Sequence, residues 1–321
     1  MISTGKAAVD AAGPQARPKG KGGSSESWAK DFSRNRYIYI MMIPVILYYI
    51  LFHYVPMGGL VIAFQDYTPM KGFLGSSFVG FKHFADYLTG PYAQRTIVNT
   101  VMINLYQLVL GFPAPIILAL LLNEVKFKRY KAVNQTISYM PHFVSVVVVA
   151  GLIINFVKSD GIVTQLLGMT GTNLLAKPEY YRMVYTLSGI WKNVGWGSII
   201  YLATLSNADP NLYEAAALDG AGRFKQLLHV TLPTLVPIIT IQLIMRMGNM
   251  MSEGYEKTLL IYNPLIYEKA DIISSYVYRR GLENMEYSFA SAVGMFNSLV
   301  NLMLLWFANW FSKTFVKESL W

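Results

Sequence analysis

Asp209-Pro210-Asn211-Leu212-Tyr213-Glu214-Ala215-Ala216-Ala217-Leu218-Asp219-Gly220-Ala221-Gly222, continued by Arg223-Phe224-Lys225-Gln226-Leu227-Leu228-His229-Val230-Thr231-Leu232-Pro233, separates two long apolar runs of the chain. Local chemistry divides it into two short helices. Asp209 is a good N-cap, Pro210 suits the first helical position, and the alanine run has high helix propensity. Gly220 or Gly222 can take the left-handed conformation that ends the first helix, and Pro233 is expected to limit the second. The expectation is a helical hairpin. Its small residues and its offered Leu212, Tyr213 and Phe224 suit either a groove in another protein or an amphipathic connector resting on a membrane.

Outward from this hairpin the chain is apolar. It has 321 residues, 54% of them hydrophobic and only 14% charged, where a soluble domain carries about 25% charged residues. An apolar helix needs roughly 20 residues to cross the hydrocarbon. Six charge-poor stretches reach about that length: Ile38 to Phe64, Ile97 to Leu122, Thr136 to Phe156, Met183 to Leu205, Leu235 to Met251 and Ser288 to Phe311. They lack the strict alternation of barrel strands, so the fold class is an all-α membrane bundle. The fifth is the shortest and contains Arg246. Pro113 and Pro115 should kink the second, either lining a pathway or serving packing alone. In the sixth, Ala290 and Gly294 form a small-xxx-small pair that suits close helix contact.

Lys and Arg outside the spans favour both termini on the cytoplasmic side of a multi-pass protein. The net charge of +9 then reads as membrane-surface charge and not as a nucleic-acid footprint. Residues 1 to 36 are expected to form a mobile basic arm. Within it, Trp28 and Phe32 among Lys30, Arg34 and Arg36 suit either a short interfacial helix or a basic flank that orients the first span. Residues 37 to 321 are then one six-span domain, with the hairpin loop at 206 to 234. The residues before Ile38 lack the short apolar region of a cleavable signal, and the first span is too long for one, so it is expected to be an uncleaved anchor. There is no cysteine, hence no disulfide or thiolate chemistry.

The hairpin resembles the EAA signature of ABC importer permeases: Glu-Ala-Ala, three residues, Gly, nine residues, Ile, one residue, Leu-Pro. Glu214, Ala215 and Ala216 open it, Gly220 makes the turn, Leu232 and Pro233 close it, and Val230 replaces the usual Ile. The run from Gly189 to Trp196, and Tyr255 to Pro264, are similar to oligosaccharide permeases of the lipoprotein-dependent type, which take up polysaccharide or uronide oligosaccharides. The resemblance covers most of residues 37 to 321. It implies a type I importer fold in the cytoplasmic (inner) membrane, with Glu214, Ala215, Ala216, Asp219, Gly220, Leu232 and Pro233 coupling to an ATPase. It also implies a second, non-identical permease, two ATP-binding subunits that hold ATP and Mg, an extracytoplasmic binding protein and an oligosaccharide substrate.

Cations inside a span are functional hypotheses by default, and Lys192 and Arg246 stand out. The spans hold no Asp or Glu, so each needs a carbonyl, water, a partner's carboxylate or the substrate. With Tyr106, Trp191, Asn193, Trp196, Asn249, Asn297 and Asn301 they can assemble a sugar pathway. Each residue alone also suits an interfacial anchor or an interhelical hydrogen bond. His53, His83, His142 and His229 show no metal-ligand spacing, and no phosphate loop of the G-x-x-x-x-G-K-[ST] type occurs. The expected cofactor complement of this chain is therefore none. A self-contained secondary transporter or channel, which would carry acidic sites in its spans or repeated broken helices, is the main alternative. A membrane enzyme is a further one.

Overall fold

A computed structural model describes residues 28–252 and 254–316. The expected mobile arm of residues 1 to 36 lies, as far as Ser27, outside the described residues. The chain divides at Gly58 into two units. The first holds α1, Trp28–Tyr49, continued by a π turn over Ile50–Tyr54 and one α turn over Val55–Met57. Asn35 leaves helical geometry (φ −107°, ψ 19°). That kink falls just before Arg36, close to the start of the apolar run at Ile38.

A 3-10 segment, Gly58–Phe64, starts at the division and continues into the second unit, where a two-stranded hairpin follows, β1 (Gln65–Asp66) against β2 (Ser77–Phe78). Its principal helices are α2 (Lys82–Leu88), α3 (Ala93–Tyr106), α4 (Pro113–Glu124), α5 (Lys128–Tyr139), α6 (Val146–Val157) and α7 (Pro178–Ser206). They are followed by α8 (Pro210–Leu218), α9 (Leu232–Gly248), α10 (Tyr255–Ile261), α11 (Ile273–Tyr278) and α12 (Tyr287–Phe315).

Among the described residues, five helices are long and apolar enough to cross a membrane: Phe32–Phe64, Ala93–Glu124, Val146–Leu166, Arg223–Gly248 and Tyr287–Thr314. The expected fourth span is α7, whose 29 residues make roughly 43 Å of helix at 1.5 Å per residue. It is long enough but less apolar, because it carries Glu179, Arg182, Lys192 and Asn193, of which Arg182 and Lys192 are half-buried and Glu179 and Asn193 exposed. The expected third span is corrected. Thr136 to Phe156 is not one helix: α5 ends at Tyr139, a 3-10 turn covers Met140–Phe143, and α6 starts only after Ser145 caps Val148 N. Pro141 cannot donate to the preceding turn, and the serine cap starts a new helix.

The prolines of the second span act as their chemistry requires. A π turn over Gln107–Gly111, with Phe112 N donating to Gln107 O at 2.9 Å, joins α3 to α4 ahead of Pro113. Three apolar clusters hold the unit together. Leu235 of α9 sits among Ala119, Leu122, Tyr201, Leu202 and Leu205. Ile103, Val149, Ile153, Tyr181, Tyr185 and Ile272 join α3, α6 and α7 to the 261–272 region. Tyr87, Met251, Ile273, Tyr276, Phe289 and Val293 form the third. Of the small-residue pair, Ala290 abuts Gly281, where an added Cβ would lie 2.6 Å from it, whereas Gly294 faces open space.

The segment between α9 and α12 folds onto α3 around Asp271, which is fully buried. Its Oδ2 accepts from Arg95 Nη2 at 2.7 Å and Arg279 Nη2 at 2.8 Å, and its Oδ1 accepts from Ser275 Oγ at 3.0 Å. Asn99 Nδ2 donates to Asp271 O at 3.1 Å, and Arg182 Nη2 donates to Asn99 Oδ1 at 2.8 Å. Two guanidiniums on one buried carboxylate satisfy the rule that buried charge is paired.

Candidate functional site

A cavity of about 530 Å³ opens between the π turn before Pro113, α7 and α9. Gln107 belongs to the π turn, whose extra residue widens the helix there. Gly197 of α7 lies so close to Pro115 that an added Cβ would be 3.0 Å from its Cγ, which lets the two helices approach. Asn193, Trp196, Gln242, Arg246 and Asn249 line the rest, and the lining includes no Asp or Glu. Arg246 Nη2 donates to Gln107 Oε1 across the cavity. Four expected pathway residues, Asn193, Trp196, Arg246 and Asn249, are thus brought together.

Lys192 is placed differently. It lies midway along α7 and reaches the break between α5 and α6, where its Nζ donates to His142 O at 2.9 Å and to Val144 O. These are carbonyls that a broken helix leaves without partners. Non-helical backbone at membrane depth is tolerated only where it is buried in protein or lines a cavity. The isolated ammonium and the orphaned carbonyls therefore satisfy each other. Next along α7, Asn193 Oδ1 lies 3.1 Å from His142 Nδ1. Trp196 stacks on the His142 ring at 4.6 Å with 1° between planes. Gly195 passes against Ser138 O, where an added Cβ would stand at 2.0 Å. So one turn of α7 grips the break and turns two of its side chains into the cavity wall.

The other expected residues lie elsewhere. Tyr106 ends α3 outside the lining. Asn297 Nδ2 donates to Met251 O at 3.1 Å, and Asn301 Oδ1 accepts from Met251 N at 2.8 Å. Both asparagines pin the turn after α9 to α12, which is the interhelical bonding reading. Sequence reasoning missed Gln107, Gln242 and Lys257. Lys257 Nζ donates to Tyr185 O at 2.6 Å over the Tyr185 ring. Burial, with the Lys192 charge adding to it, lowers its pKa to about 7. It stands behind Gly189 of the cavity wall, 3.6 Å from where a Cβ would be. Gln107 could have been found from its place before the proline pair. Among the described residues no group of three or more His, Asp or Glu could hold a metal ion.

The hairpin at 209–233 follows its local rules at the first helix and departs from them at the second. Asp209 Oδ1 accepts from Asn211 N at 2.9 Å. At the other end, Ala221 N donates to Ala216 O at 2.9 Å and Gly220 N to Ala217 O at 3.0 Å. With Gly220 at φ +75° this is a Schellman motif. Glu214 and Ala215 are exposed, and so are Leu218 and Phe224. Pro233 does not end the second helix. Arg223–Gly248 runs through it, with a π turn over Leu227–Thr231 just before. The i→i+5 pattern takes up the hydrogen bond that the proline ring cannot make. Tyr213 Oη lies 3.2 Å from Thr231 Oγ1, which ties α8 to that turn.

The family described as "Binding-protein-dependent transport system inner membrane component" matches residues 111–317. Protein LplB of Bacillus subtilis (strain 168) is 41% identical over 302 residues, covering 93% of this chain and 95% of its own. The polygalacturonan/rhamnogalacturonan transport system permease protein YteP of the same organism is 42% identical over 292 residues, 90% of this chain and 91% of its own. A chain of a bacterial alginate ABC transporter, crystallised with a periplasmic protein holding an alginate pentasaccharide, superposes with a TM-score of 0.84. It is 40% identical and covers 92% of this chain and 100% of that one.

Proposed function

The chain belongs to the binding-protein-dependent transport system inner membrane components, and from that membership we propose that it is a permease subunit of an ABC importer for acidic oligosaccharides of the uronide class. The observation that carries the substrate class is the cavity that holds Arg246 and no carboxylate. A polyanion crossing low-dielectric surroundings needs cations and hydrogen-bond donors on its path, and carboxylates there would repel it. Arg246, Asn193, Asn249, Gln107 and Gln242 offer donors, and Trp196 offers an aromatic face. The polygalacturonan/rhamnogalacturonan and alginate transporters among the similar proteins support the same class.

In this reading a second permease completes the pathway, and an extracytoplasmic binding protein delivers the substrate. ATP is hydrolysed with Mg on two separate ATP-binding subunits, and both termini are cytoplasmic. The test is uptake by the reconstituted complex. Arg246→Gln is expected to lower the uptake of a uronide trisaccharide by about tenfold while leaving a neutral trisaccharide within about twofold; tenfold corresponds to ~1.4 kcal/mol. Arg246→Lys should recover part of the loss. Equal losses for both sugars would remove the acidic-substrate reading.

The same proposal makes α8 the element that meets the ATPase, through Glu214, Ala215, Ala216, Asp219 and Gly220, with Leu232 and Pro233 setting its join to α9. Nothing lies within 4 Å of a Cβ added at Gly220, so a substitution there acts through backbone conformation. A non-glycine residue at positive φ costs about 1–2 kcal/mol. Gly220→Leu and Glu214→Lys are each expected to cut substrate-stimulated ATPase activity by roughly tenfold with membrane insertion intact. Gly220→Asn, which tolerates that conformation, should keep most of it. Wild-type stimulation in both Gly220→Leu and Glu214→Lys would leave α8 as a mere connector.

A further inference from the structure

The segment between Phe64 and α2 is ordered by its own bonds. Gln65 pairs with Phe78 and Asp66 with Ser77. Val79 N and Gly80 N both donate to Phe64 O, at 2.8 and 3.1 Å. At the tip, Gly72 takes φ +64°, Ser76 Oγ donates to Gly72 O at 2.7 Å, and Gln65 Nε2 donates to Phe73 O at 2.9 Å. One side is an aromatic cluster: Tyr67 stacks on Phe73 at 5.4 Å, and Phe64 meets Phe81 and Phe84 at 5.4 Å each.

Its outer side is unlike a water-facing turn. Met70 is 99% exposed, Leu74 103%, Phe78 74% and Phe81 72%. Four large apolar side chains held outward by a fixed backbone mark a surface that another apolar phase covers. Between Tyr67 and Ala85 the charged residues are Lys71 and Lys82, with no Asp or Glu.

Position identifies the cover. Phe64 is the last residue of the apolar stretch Phe32–Phe64, and the hairpin folds back onto that residue through two backbone bonds and the Phe81 ring. The patch therefore lies where a membrane-crossing segment meets the headgroups. There aromatic and apolar side chains sit at the acyl boundary, and lysines reach phosphate while their stems stay in apolar surroundings. We infer that the 68–81 hairpin is seated in the bilayer interface, with Met70, Leu74, Phe78 and Phe81 in the acyl boundary and Lys71 and Lys82 on lipid phosphates. The inference needs family membership only and is independent of the substrate.

The absence of cysteine from the chain makes the test direct. Leu74→Cys, Phe78→Cys and, as a water-facing control, Asp86→Cys are each labelled with an environment-sensitive fluorophore. The full chain in its complex is placed in nanodiscs of phosphatidylcholine and phosphatidylglycerol, with or without acyl-chain bromination. Brominated lipid is expected to quench the labels at 74 and 78 by about twofold and to leave the label at 86 nearly unchanged. Adding Lys71→Glu and Lys82→Glu should reduce that quenching, and more so in phosphatidylglycerol-rich discs. Labels at 74 and 78 that are quenched no more than the label at 86 would overturn the inference. So would labels shielded from lipid by the companion subunit or by an added binding protein.

Discussion

Lys192→Met is expected to destabilise the assembled protein and to abolish uptake of neutral and acidic oligosaccharides alike. Its ammonium bonds two carbonyls of the break between α5 and α6, and methionine keeps the stem while removing all donors. Each unsatisfied backbone group in hydrocarbon costs several kcal/mol, softened by relaxation and water entry. A net loss of about 2–4 kcal/mol is the expected size, read as a lower unfolding midpoint in detergent and a lower steady-state level in the membrane. The His142 stack on Trp196 and its contact with Asn193 depend on the same break, so the cavity wall should be lost with it. A protein of unchanged stability that fails only on acidic sugar would instead make Lys192 a substrate ligand.

The contrast between Lys192 and Arg246 shows what a sequence carries. Both are cations in apolar runs, and hydropathy treats them alike. One is taken up by carbonyls whose exposure depends on a helix break, and the other faces a cavity. The break itself was hidden, because Met140-Pro141-His142-Phe143-Val144-Ser145 is nearly as apolar as the helices it separates. The hairpin's first helix was legible in detail, since an Asp cap, Pro at the first position and a Gly turn are rules about neighbours in sequence. Pro233 was misread because its effect depends on the π turn upstream. In α7 the polar residues that lower its hydropathy include Arg182 and Lys192, which bond Asn99 of α3 and the break between α5 and α6, so a hydropathy criterion passes over a span that its own polar side chains tie to its neighbours. Asp271 escaped notice for a related reason. It lies between α10 and α11, beyond the end of α9, and Arg95 reaches it from 176 positions away in the sequence, so no local pattern marks the pair.

Removal of that carboxylate is the other large effect expected. The Asp271 side chain is fully buried, and the side chains of Arg95 and Arg279 are only 29% and 17% exposed. Asp271→Ala leaves two guanidiniums facing each other without a counter-charge, and breaking a buried pair from one side costs about 3–5 kcal/mol. Ser275 Oγ loses an acceptor as well. Asp271→Asn should be nearly as harmful, because an amide keeps the volume but not the charge. The loss should hardly change with salt, since buried pairs are poorly screened. Most of the damage is repulsion between the two arginines, so adding Arg279→Met to Asp271→Ala should restore part of the unfolding midpoint. That recovery distinguishes an electrostatic clamp from a packing defect: simple additivity of the two substitutions, or a wild-type midpoint for Asp271→Ala, would refute the clamp. Limited proteolysis locates the effect. Because Asp271 and Asn99 hold the 255–286 region on α3, cleavage should appear there at temperatures where α4, α7 and α9 remain protected.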